Sequence, residues 1–507
     1  MPEIHSRRLN GLIDIGKEGG SVMQESAFGF TFLVVTLCTC IAGAGEIRHV
    51  PSPLYSSIQD AIDASETGDE IIVAASPIPY KENINFNGKS VHLRSSNPDD
   101  PAATTIDGNS DSDPLTHDGP TVKFINSEDG RAILEGFTII GGTGEDDPND
   151  DWLDPKIRVG GGIHCRGSSP VIRRNVIRDN VAHLGAGAYF SGGSPVVERN
   201  WFTRNRARQS GGGIKIYNPT GAVIKNNLIT GNYLHNEFDD PTLPAGGGGI
   251  DVYQTGLTLF PVIRNNTIVA NRAQESGAGL SVDAGAAVVV ANVISLNVSE
   301  YQEGGVFFRP TGTALVVRHN NVDGNCEPDY ADLETEDIFT NVAAVVGDPL
   351  FESPGVWGDP GPTPGCLDNQ DWEDGDYRLQ SASPCVDSTA GDLQSDADLA
   401  FAAHERDYLG HPRRIGATVD IGAFEFGGAP CGVPFADTDS DGDVDQSDFG
   451  VMQQCMGLTS DVPVSFTNIP CACFDCDHNQ IVDQEDVSEF KKCASGPDVP
   501  YSLDCND

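Results

Sequence analysis

Two short motifs recur along the middle of the chain, and this repeat constrains the fold more than any other sequence feature. The first motif is glycine-rich, and its copies begin at Gly160, Gly185, Gly211, Gly247, Gly277 and Gly304. The second has the form Asn-x-x-x-x-Asn, and its copies begin at Asn175, Asn200, Asn227, Asn266, Asn292 and Asn320. Self-similarity at such a period predicts a solenoid, a propeller or an array of stacked units.

The residues inside one repeat favour a β-solenoid. Runs such as Val171–Ile172 and Ala188–Phe190 are short, β-branched or aromatic, and bounded by Gly, Asn, Ser or Pro. No repeat shows ten residues of helical periodicity, and a propeller blade needs about 40 residues. We therefore expect coils of three strands that stack about 4.8 Å apart into a parallel β-helix. The recurring Asn residues should adopt left-handed turns and form a ladder between coils.

The net charge of the chain limits the classes of partner that it is expected to bind. The 507 residues carry a formal charge of −44, from 75 acidic and 31 basic side chains. This balance disfavours nucleic acid and anionic membranes, and it is compatible with cation binding or simply with high solubility. The length is sufficient for two or three structural units. We expect the protein to be a monomer.

An apolar run near the N-terminus predicts secretion. Residues Phe28–Ala42 are almost uninterruptedly apolar, and Ala42–Ala44 forms a small-x-small cleavage site. The run is too short for a membrane span and suits a signal peptide over residues 1–44, with translation starting at Met1 or Met23. The mature chain is therefore expected to lack a membrane span and to be secreted or held at the cell surface.

The first part of the mature chain resembles a known superfamily. Ser57–Ala64 predicts a short amphipathic helix that covers the open first coil. Short segments follow at Gly68–Val73, Tyr80–Ile84, Lys89–Ser95 and Thr105–Gly108. This order resembles the opening of the pectin-lyase-like superfamily, which implies a right-handed parallel β-helix over residues 45–345. Residues 346–427 resemble the C-terminal end of secreted bacterial β-helix proteins, and we expect them to cover the edge of the last coil.

Three insertions occur at one phase of the repeat, and such insertions map to one face. They are Thr143–Val159, Tyr233–Ala245 and Val298–Glu303. We expect this face to bind polysaccharide, with aromatic rings that stack on sugars and with nearby carboxylates. The candidate substrate-binding residues are Trp152, Asp150, Asp151, Asp154, Tyr233, Phe238, Asp239 and Asp240.

The same face offers groups for catalysis. A lyase of the superfamily would need carboxylates beside an arginine base, and the candidate bases are Arg158, Arg206 and Arg208. We do not find the polygalacturonase set, which combines clustered Asp pairs with His and Arg-x-Lys motifs. We interpret His164, His183 and His235 as packing or turn residues. A polysaccharide lyase or glycoside hydrolase and a purely structural spacer therefore remain alternatives to a binding protein.

Two oxygen-rich loops near the C-terminus predict calcium binding. In each, hard oxygen ligands fall at positions 1, 3, 5, 7, 9 and 12 of a twelve-residue loop, as Ca²⁺ requires. The first set of ligands is Asp437, Asp439, Asp441, Asp443, Asp445 and Asp448. The second set is Asp475, Asp477, Asn479, Ile481, Asp483 and Asp486. Asp443 and Ile481 would contribute carbonyl oxygens. Gln480 replaces the turn glycine of the second loop, which predicts weaker binding there.

These paired loops resemble the dockerin type I family. Each loop is followed by one amphipathic segment, Phe449–Cys455 or Val487–Cys493, and each ends in Asp rather than the Glu of an EF-hand. The resemblance implies an EF-hand-like α-helical module over residues 428–507 and a cohesin-like protein as a possible partner. Seven of the thirteen cysteines lie in this module, which in a secreted chain indicates disulfides. Three of them, Cys471, Cys473 and Cys476, could instead bind zinc.

Overall fold

In the computed structural model, every described residue lies within the unit Ala44–Asp507. The described residues are 45–109, 119–146, 157–218, 221–235, 246–253, 259–274, 277–283, 287–299, 304–309, 315–325, 330–332, 344–357, 372–386, 388, 405–410, 413, 419–426, 444, 446–456, 474 and 482–494.

Short strands dominate the chain. The first part contains β1 (Ile47–Val50), α1 (Ile58–Ala64), β2 (Glu70–Val73), β3 (Ser76–Lys81), β4 (Ile84–Asn85), β5 (His92–Ser95), a 3₁₀ turn (Pro101–Ala103), β6 (Thr104–Asp107), β7 (Val122–Phe124), β8 (Ile133–Glu135), β9 (Thr138–Ile140) and β10 (Glu145–Asp146).

The repeats supply most of the remaining strands. They are β11 (Arg158–Val159), β12 (Ile163–Arg166), β13 (Val171–Arg173), β14 (Val176–Arg178), β15 (Val181–Leu184), β16 (Ala188–Ser191), β17 (Val196–Glu198), β18 (Trp201–Thr203), β19 (Arg206–Ser210), β20 (Ile214–Tyr217), β21 (Val223–Lys225), β22 (Leu228–Thr230), β23 (Tyr233–Leu234), β24 (Ile250–Tyr253), β25 (Val262–Arg264), β26 (Thr267–Val269), β27 (Arg272–Ala273), β28 (Leu280–Asp283), β29 (Val288–Val290), β30 (Val293–Ser295), β31 (Val298–Ser299), β32 (Val306–Arg309), β33 (Val316–Arg318) and β34 (Asn321–Asp323).

The elements after the repeats are β35 (Tyr330–Asp332), β36 (Phe351–Ser353), β37 (Val356–Trp357), β38 (Trp372–Glu373), β39 (Asp376–Leu379), α2 (Gln446–Cys455) and α3 (Gln484–Cys493). Antiparallel pairs join β36 to β39 and β37 to β38.

Four sheets run along the solenoid. Sheet I contains β4, β7, β12, β16, β20, β24, β28, β32 and β35, and sheet II contains β1, β2, β5, β8, β13, β17, β21, β25, β29 and β33. Sheet III contains β3, β6, β9, β14, β18, β22, β26, β30 and β34, and sheet IV contains β10, β11, β15, β19, β23, β27 and β31. Neighbouring strands are parallel, apart from the antiparallel hairpin of β10 and β11. The expected parallel β-helix is confirmed.

Each full coil has four strands rather than the expected three. The third side of the coil is bent into a strand of sheet III and a strand of sheet IV, as in β14 and β15. The bend falls at Asp179, whose φ is +56°, immediately before Asn180. The second Asn of each repeat therefore marks a turn of its own, which adds a fourth strand to the expected three.

Alternating side chains fill the interior. The residues in the middle of the strands, such as Ile172, Ile177, Phe190 and Ile216, are completely buried in one continuous core. At the N-terminal end, the predicted helix is present as α1, capped by Ser57, and it buries Ile58, Ala61 and Ile62. α1 packs against β1, β2 and β4. It therefore covers the first coils, as the sequence predicted.

Two asparagine ladders follow the turns on either side of sheet III. One runs through Asn175, Asn200, Asn227, Asn266, Asn292 and Asn320, and the other through Asn180, Asn205, Asn232, Asn271, Asn297 and Asn325. Each Nδ2 group within a ladder donates to the Oδ1 atom of the next Asn and to main-chain carbonyls. The predicted ladder is confirmed.

The expected left-handed conformation belongs to a different residue. Positive φ angles occur one position before the ladder Asn, for example at Arg174, Arg199 and Asn226. The ladder side chains point inward and are buried, whereas the preceding residue absorbs the sharp turn. The prediction that the ladder Asn residues themselves are left-handed was therefore wrong.

The segment after the repeats lies along the side of the solenoid. Ile421, Ala423 and Phe424 form a cluster with Val293 and Ala291 on the outer side of the coils. The Gly422 N–H donates to the Ala291 carbonyl at 2.9 Å, and the Ala423 N–H donates to Thr267 Oγ1 at 2.9 Å. We call the described residues between 344 and 426 the side segment.

The role of this segment as a cover for the edge of the last coil stays a prediction. Among the described residues, Val345 forms a β-bridge with Asn321 of the last coil, and Asn321 Nδ2 donates to the Val345 and Gly347 carbonyls. Other described contacts lie on the outer side of sheets II and III, where Leu228, Val269 and Val290 pack against the segment and would otherwise be exposed. Polar contacts accompany them, such as the ion pair of Glu405 with Arg264. The segment therefore covers the flank because that surface is apolar.

The two C-terminal helices share one small core. The rings of Phe449 and Phe490 lie 5.4 Å apart, and Met452 and Val487 are buried beside them. Phe449 and Val487 occupy the same position after their loops, and so do Met452 and Phe490. This correspondence supports the internal duplication that the sequence indicates.

Candidate functional site

The described ends of all three insertions lie in sheet IV. β10 and β11 flank residues 147–156, β23 precedes residues 236–245, and β31 precedes residues 300–303. Residues 147–156, 236–245 and 300–303 of the insertions lie outside the described residues. Their attachment to one sheet agrees with the single binding side that the repeat phase predicts.

Most of the predicted sugar-contacting residues cannot be placed. Tyr233 lies on β23 of sheet IV. The others, Trp152, Asp150, Asp151, Asp154, Phe238, Asp239 and Asp240, fall outside the described residues. Their role remains a prediction.

A cavity of about 280 Å³ opens on the outer side of sheet IV beside the first insertion. Arg158, His183 and Arg208 line it from three successive strands, β11, β15 and β19. Its other described lining residues are Asn109, Gly141, Gly142, Thr143, Asp179, Val181 and Ala182. The structure therefore brings together Arg158 and Arg208, two of the three candidate bases.

Positive charge and hydrogen bonding define this cavity. The Arg158 N–H donates to His183 Nδ1 at 2.8 Å, so the Nδ1 atom carries no proton and the neutral ring keeps its hydrogen on Nε2. Burial lowers the pKa of Arg158, the charge of Arg208 lowers it further, and Asp146 acts in the opposite direction. Asp179 on the rim is paired with Arg178 and with Arg204.

Tyr233 is held between cationic side chains. It pairs in register with Arg206 on β19 and with Arg272 on β27. The guanidinium carbons of Arg206 and Arg272 lie 5.8 and 5.6 Å from its ring centroid, and His235 stacks at 6.0 Å. Because these groups occupy the ring faces, the edge and hydroxyl of Tyr233 are the parts that could contact a sugar. The third candidate base, Arg206, is exposed in this row.

The outer face of sheet I meets sheet IV in a buried polar corner. His164 Nδ1 lies 2.6 Å from Glu145, which also pairs with Lys123 at 3.0 Å. Burial alone would raise the pKa of Glu145, but hydrogen bonds and charges from His164 and Lys123 outweigh it and lower the pKa to about 2. His164 is therefore a buried residue hydrogen-bonded to Glu145, in line with its interpretation as a packing residue.

A second polar group further along this corner was missed by sequence reasoning. Asp251 accepts a hydrogen bond from Ser210 and pairs with Lys215, and all three residues are at least 97% buried. Tyr217 and Tyr253 stack beside them at 5.7 Å. A signal was present, because His164, Lys215 and Asp251 each follow a Gly-Gly-Ile sequence, so that an ionisable residue recurs at the same outward position of the strand.

Only part of the predicted calcium sites lies within the described residues. Asp483 and Asp486 are described, and Asp448 lies on α2, but its side chain is not described. The other ligands, Asp437, Asp439, Asp441, Asp443, Asp445, Asp475, Asp477, Asn479 and Ile481, lie outside the described residues. Among the residues that the structure describes, no group of three or more His, Cys, Asp or Glu side chains could hold a metal ion.

The described parts of the two loops fit a calcium-binding unit. Val444 and Val482 occupy position 8 of their loops, and both are completely buried. The Asp486 carboxylate at position 12 is also completely buried and accepts the Asp483 N–H at 2.8 Å. Burying a carboxylate is costly unless it is hydrogen-bonded, paired or bound to a metal. The oxygen-only ligand set of the loops suits Ca²⁺.

Comparison with known proteins identifies the fold. A family model described as the right-handed beta helix region matches residues 81–258 and 160–332. This match covers most of the observed coils, and it gives the handedness. The fold is a right-handed parallel β-helix. No curated protein matches the chain.

Two solved structures are similar to this β-helix protein at low identity. One is a pectin methylesterase variant in complex with a hexasaccharide, at 11% identity and a TM-score of 0.27, covering 55% of this chain and 79% of its own. The other is the pectate lyase Pel9A, at 13% identity and a TM-score of 0.34, covering 76% of this chain and 97% of its own. At these scores, neither structure informs the function. Over the described residues, no helix is long and apolar enough to cross a membrane.

Proposed function

We propose that this chain is a secreted β-helix protein that binds polysaccharide on the sheet IV face. The observation that carries the proposal is the cavity of Arg158, His183 and Arg208, which opens where the insertions leave the fold. Pockets that bind small molecules are concave and combine apolar surface with a few placed polar groups. The cavity fits this description, because Val181 and Ala182 line it beside the charged residues.

The row next to the cavity extends the proposed site along the solenoid. Arg206, Tyr233 and Arg272 occupy one in-register line on sheet IV, at the strand spacing of about 4.8 Å. A linear glycan lying along the axis would meet one such side chain per coil. The insertions that begin at residues 147 and 236 would add the predicted aromatic and acidic contacts.

We further propose that the C-terminal module is a Ca²⁺-dependent, dockerin-like unit for attachment or assembly. The equivalent burial of Val444 and Val482 and the shared helix core support two related loop-helix units. When bound, Ca²⁺ would neutralise the clustered loop carboxylates. The chain's own part is to fix the two loops against one core. A cohesin-like protein is the proposed partner.

The proposed function includes secretion of the protein from the cytosol. Cys455 is disulfide-bonded in the structure, and disulfides persist in oxidising compartments outside the cytosol. The apolar run over residues 28–42 and the acidic composition of the chain agree with export.

A polysaccharide lyase is the second candidate function. The specific observation that favours it is the lowered pKa of Arg158 beside Arg208, because a base that removes a sugar proton must lose its own charge first. In that reaction Arg158 would accept the proton while the second guanidinium stabilises the negative charge on the sugar.

One experiment separates these functions. The purified mature chain is incubated with a panel of soluble acidic and neutral polysaccharides, with Ca²⁺ and with a chelator. Affinity electrophoresis measures binding, and ultraviolet absorbance detects unsaturated lyase products. Retardation without product supports the binding function. Product that disappears in Arg158→Gln supports the lyase. If no glycan is retarded or cleaved, both proposals fail and the structural spacer remains.

A further inference from the structure

The cavity on sheet IV concentrates positive charge in a strongly acidic protein. The chain as a whole carries a formal charge of −44, yet Arg158, Arg206 and Arg208 lie on two nearby strands of one sheet. Arg206 and Arg208 are two residues apart on β19, which places their side chains on the same side of the strand. Arg208 lines the cavity and Arg206 lies in the row beside it.

The chemistry of the cavity suits an anion. Guanidinium groups present several N–H donors in a fixed plane and bind carboxylates and sulfates with two hydrogen bonds at once. Asn109 and Thr143 add neutral polar groups to the lining. Asp179, the acidic residue among the described lining residues, is already paired with Arg178 and Arg204. The interior therefore presents cationic and neutral groups to a ligand.

The size of the cavity limits what enters. Pockets for small molecules begin at roughly 300 Å³, and this cavity measures about 280 Å³. It can hold one charged sugar unit or substituent rather than an oligosaccharide. The rest of a chain would continue over Arg206 and Tyr233.

A bridging calcium ion does not suit this cavity. A divalent cation placed between the ligand and the lining would face the charges of Arg158 and Arg208 at close range, and like charges repel strongly in a partly buried site. The predicted calcium ligands of the chain lie instead in the C-terminal loops, at residues 437–448 and 475–486.

We propose that the sheet IV cavity binds an anionic group of a polysaccharide, a carboxylate or a sulfate, directly through the guanidinium groups of Arg158 and Arg208, without a bridging metal ion. The inference rests on the proposed glycan binding at the same face. It adds the class of ligand and the way in which the charge is recognised.

Matched polymers test it. Carboxymethyl cellulose and carboxymethyl dextran form the carboxylate arm, cellulose sulfate and dextran sulfate form the sulfate arm, and hydroxyethyl cellulose and dextran are the neutral controls. Binding to the full mature chain is measured by calorimetry in EDTA and again with Ca²⁺. At least one anionic polymer should bind ten times or more tightly than its neutral counterpart, equally well in EDTA. The arm that binds identifies the anion.

Variants locate the contact. Arg158→Gln combined with Arg208→Gln should weaken anionic binding at least tenfold with an unchanged circular dichroism spectrum. Arg158→Lys should retain only part of the affinity for the anionic polymer, because lysine keeps the charge but lacks the planar donors. The control is Arg131→Gln, which removes an exposed arginine paired with Asp129 elsewhere on the coil.

Several results would overturn the inference. These are failure of all four anionic polymers to bind, equal binding of anionic and neutral polymers, a requirement for Ca²⁺, or an equal loss in Arg131→Gln. Binding of neutral glycans alone would overturn the inference while leaving the proposed function intact. The proposed function fails only if the wider glycan panel also gives no binding.

Discussion

The Oδ1 atom of Asn266 accepts two hydrogen bonds from Asn227, one from its main-chain N–H and one from its Nδ2 group, each at 3.0 Å. The two residues stand on adjacent coils and are completely buried. Repetition of this link fixes the register of the six coils that carry the ladders, at both ends of sheet III. The outer face of sheet IV, which starts at the second ladder, inherits its geometry from these links.

Asn227→Leu should therefore destabilise the protein. Leucine has a similar size but leaves the Val197 and Lys225 carbonyls without the Asn227 donor, and it leaves Asn200 without its acceptor. A buried polar group left unsatisfied costs about 1–3 kcal/mol, so the total loss should be at least about 3 kcal/mol. Chemical denaturation measures it. Asn83→Leu, outside the ladders, should cost far less, and an equal cost would remove the special role of the ladder.

Packing of the side segment against the coils should require that residue 422 has no side chain. Gly422 has a φ of +97°, and a Cβ atom there would lie 2.9 Å from Val293 Cγ2 and 3.0 Å from Thr267 Oγ1. Gly68→Ala is the matched control, because Gly68 has a φ of +98° and no atom near the added Cβ. Both substitutions carry backbone strain of about 1–3 kcal/mol.

Gly422→Ala should lower stability further than Gly68→Ala does and should expose the side segment to limited proteolysis. Thermal unfolding and a protease time course check this. Identical melting shifts and identical cleavage patterns in the two variants would show that the side segment is not held by this close contact.

Features of the fold that are marked by a recurring residue type could be predicted from the sequence, whereas several features without such a mark could not. The ladder at Asn175 and its equivalents was predictable, because the same side chain recurs at one turn in six copies. The division of the third side into sheets III and IV was not, since Asp179, Arg204 and Gly231 share no residue type at the position that bends. A left-handed turn there is set by the ladder behind it.

The proposed binding face shows the same division between what the sequence predicted and what it did not. The insertions revealed the side of the fold, because they recur at one phase. The sequence identified Arg158 and Arg208 as candidate bases. It could not show that they line one cavity, because their proximity depends on the register of three strands. The group of Ser210, Lys215 and Asp251 was missed because its members come from different repeats and different sheets. The course of the side segment was missed because it contacts coils more than 100 residues away in sequence, as in the bond from Ala423 to Thr267.

Glu425→Gln should change how stability depends on pH. Burial raises the pKa of Glu425 to about 9, with Asp420 and Asp407 adding to the rise and Arg413 opposing it. The folded state therefore retains a proton that the unfolded state releases near pH 4.5, and folding stability falls as the pH rises from there to about 9. Glutamine is permanently neutral and should abolish this fall.

The measurement is the free energy of unfolding at intervals between pH 4 and pH 9.5. The wild type and Glu425→Gln should have similar stability near pH 4, and the variant should be the more stable at alkaline pH. Glu66→Gln, at an exposed position, is the control. A variant that follows the wild-type pH profile throughout would contradict the buried, protonated state of Glu425.

Calcium should stabilise the C-terminal module of the full chain. Clustered loop carboxylates repel one another until a cation neutralises them, so binding and folding are coupled. Calorimetric titration should show two sites, the second weaker because Gln480 must adopt the turn that Gly442 adopts freely. Combined Asp437→Ala, Asp448→Ala and Asp475→Ala should abolish both heats. Asp150→Ala with Asp154→Ala controls for diffuse binding to the acidic surface. Heats that survive the triple substitution would refute the calcium proposal.

The most direct test of glycan binding on the sheet IV face compares two sides of the same solenoid. The polysaccharide that binds most tightly in the panel is titrated into the wild type, into Arg206→Gln with Tyr233→Ala on sheet IV, and into Arg94→Gln with Arg173→Gln on sheet II. The account predicts a loss of tenfold or more for the sheet IV pair alone, with all three proteins folded. Unchanged affinity in the sheet IV pair, or an equal loss in the sheet II pair, would contradict it.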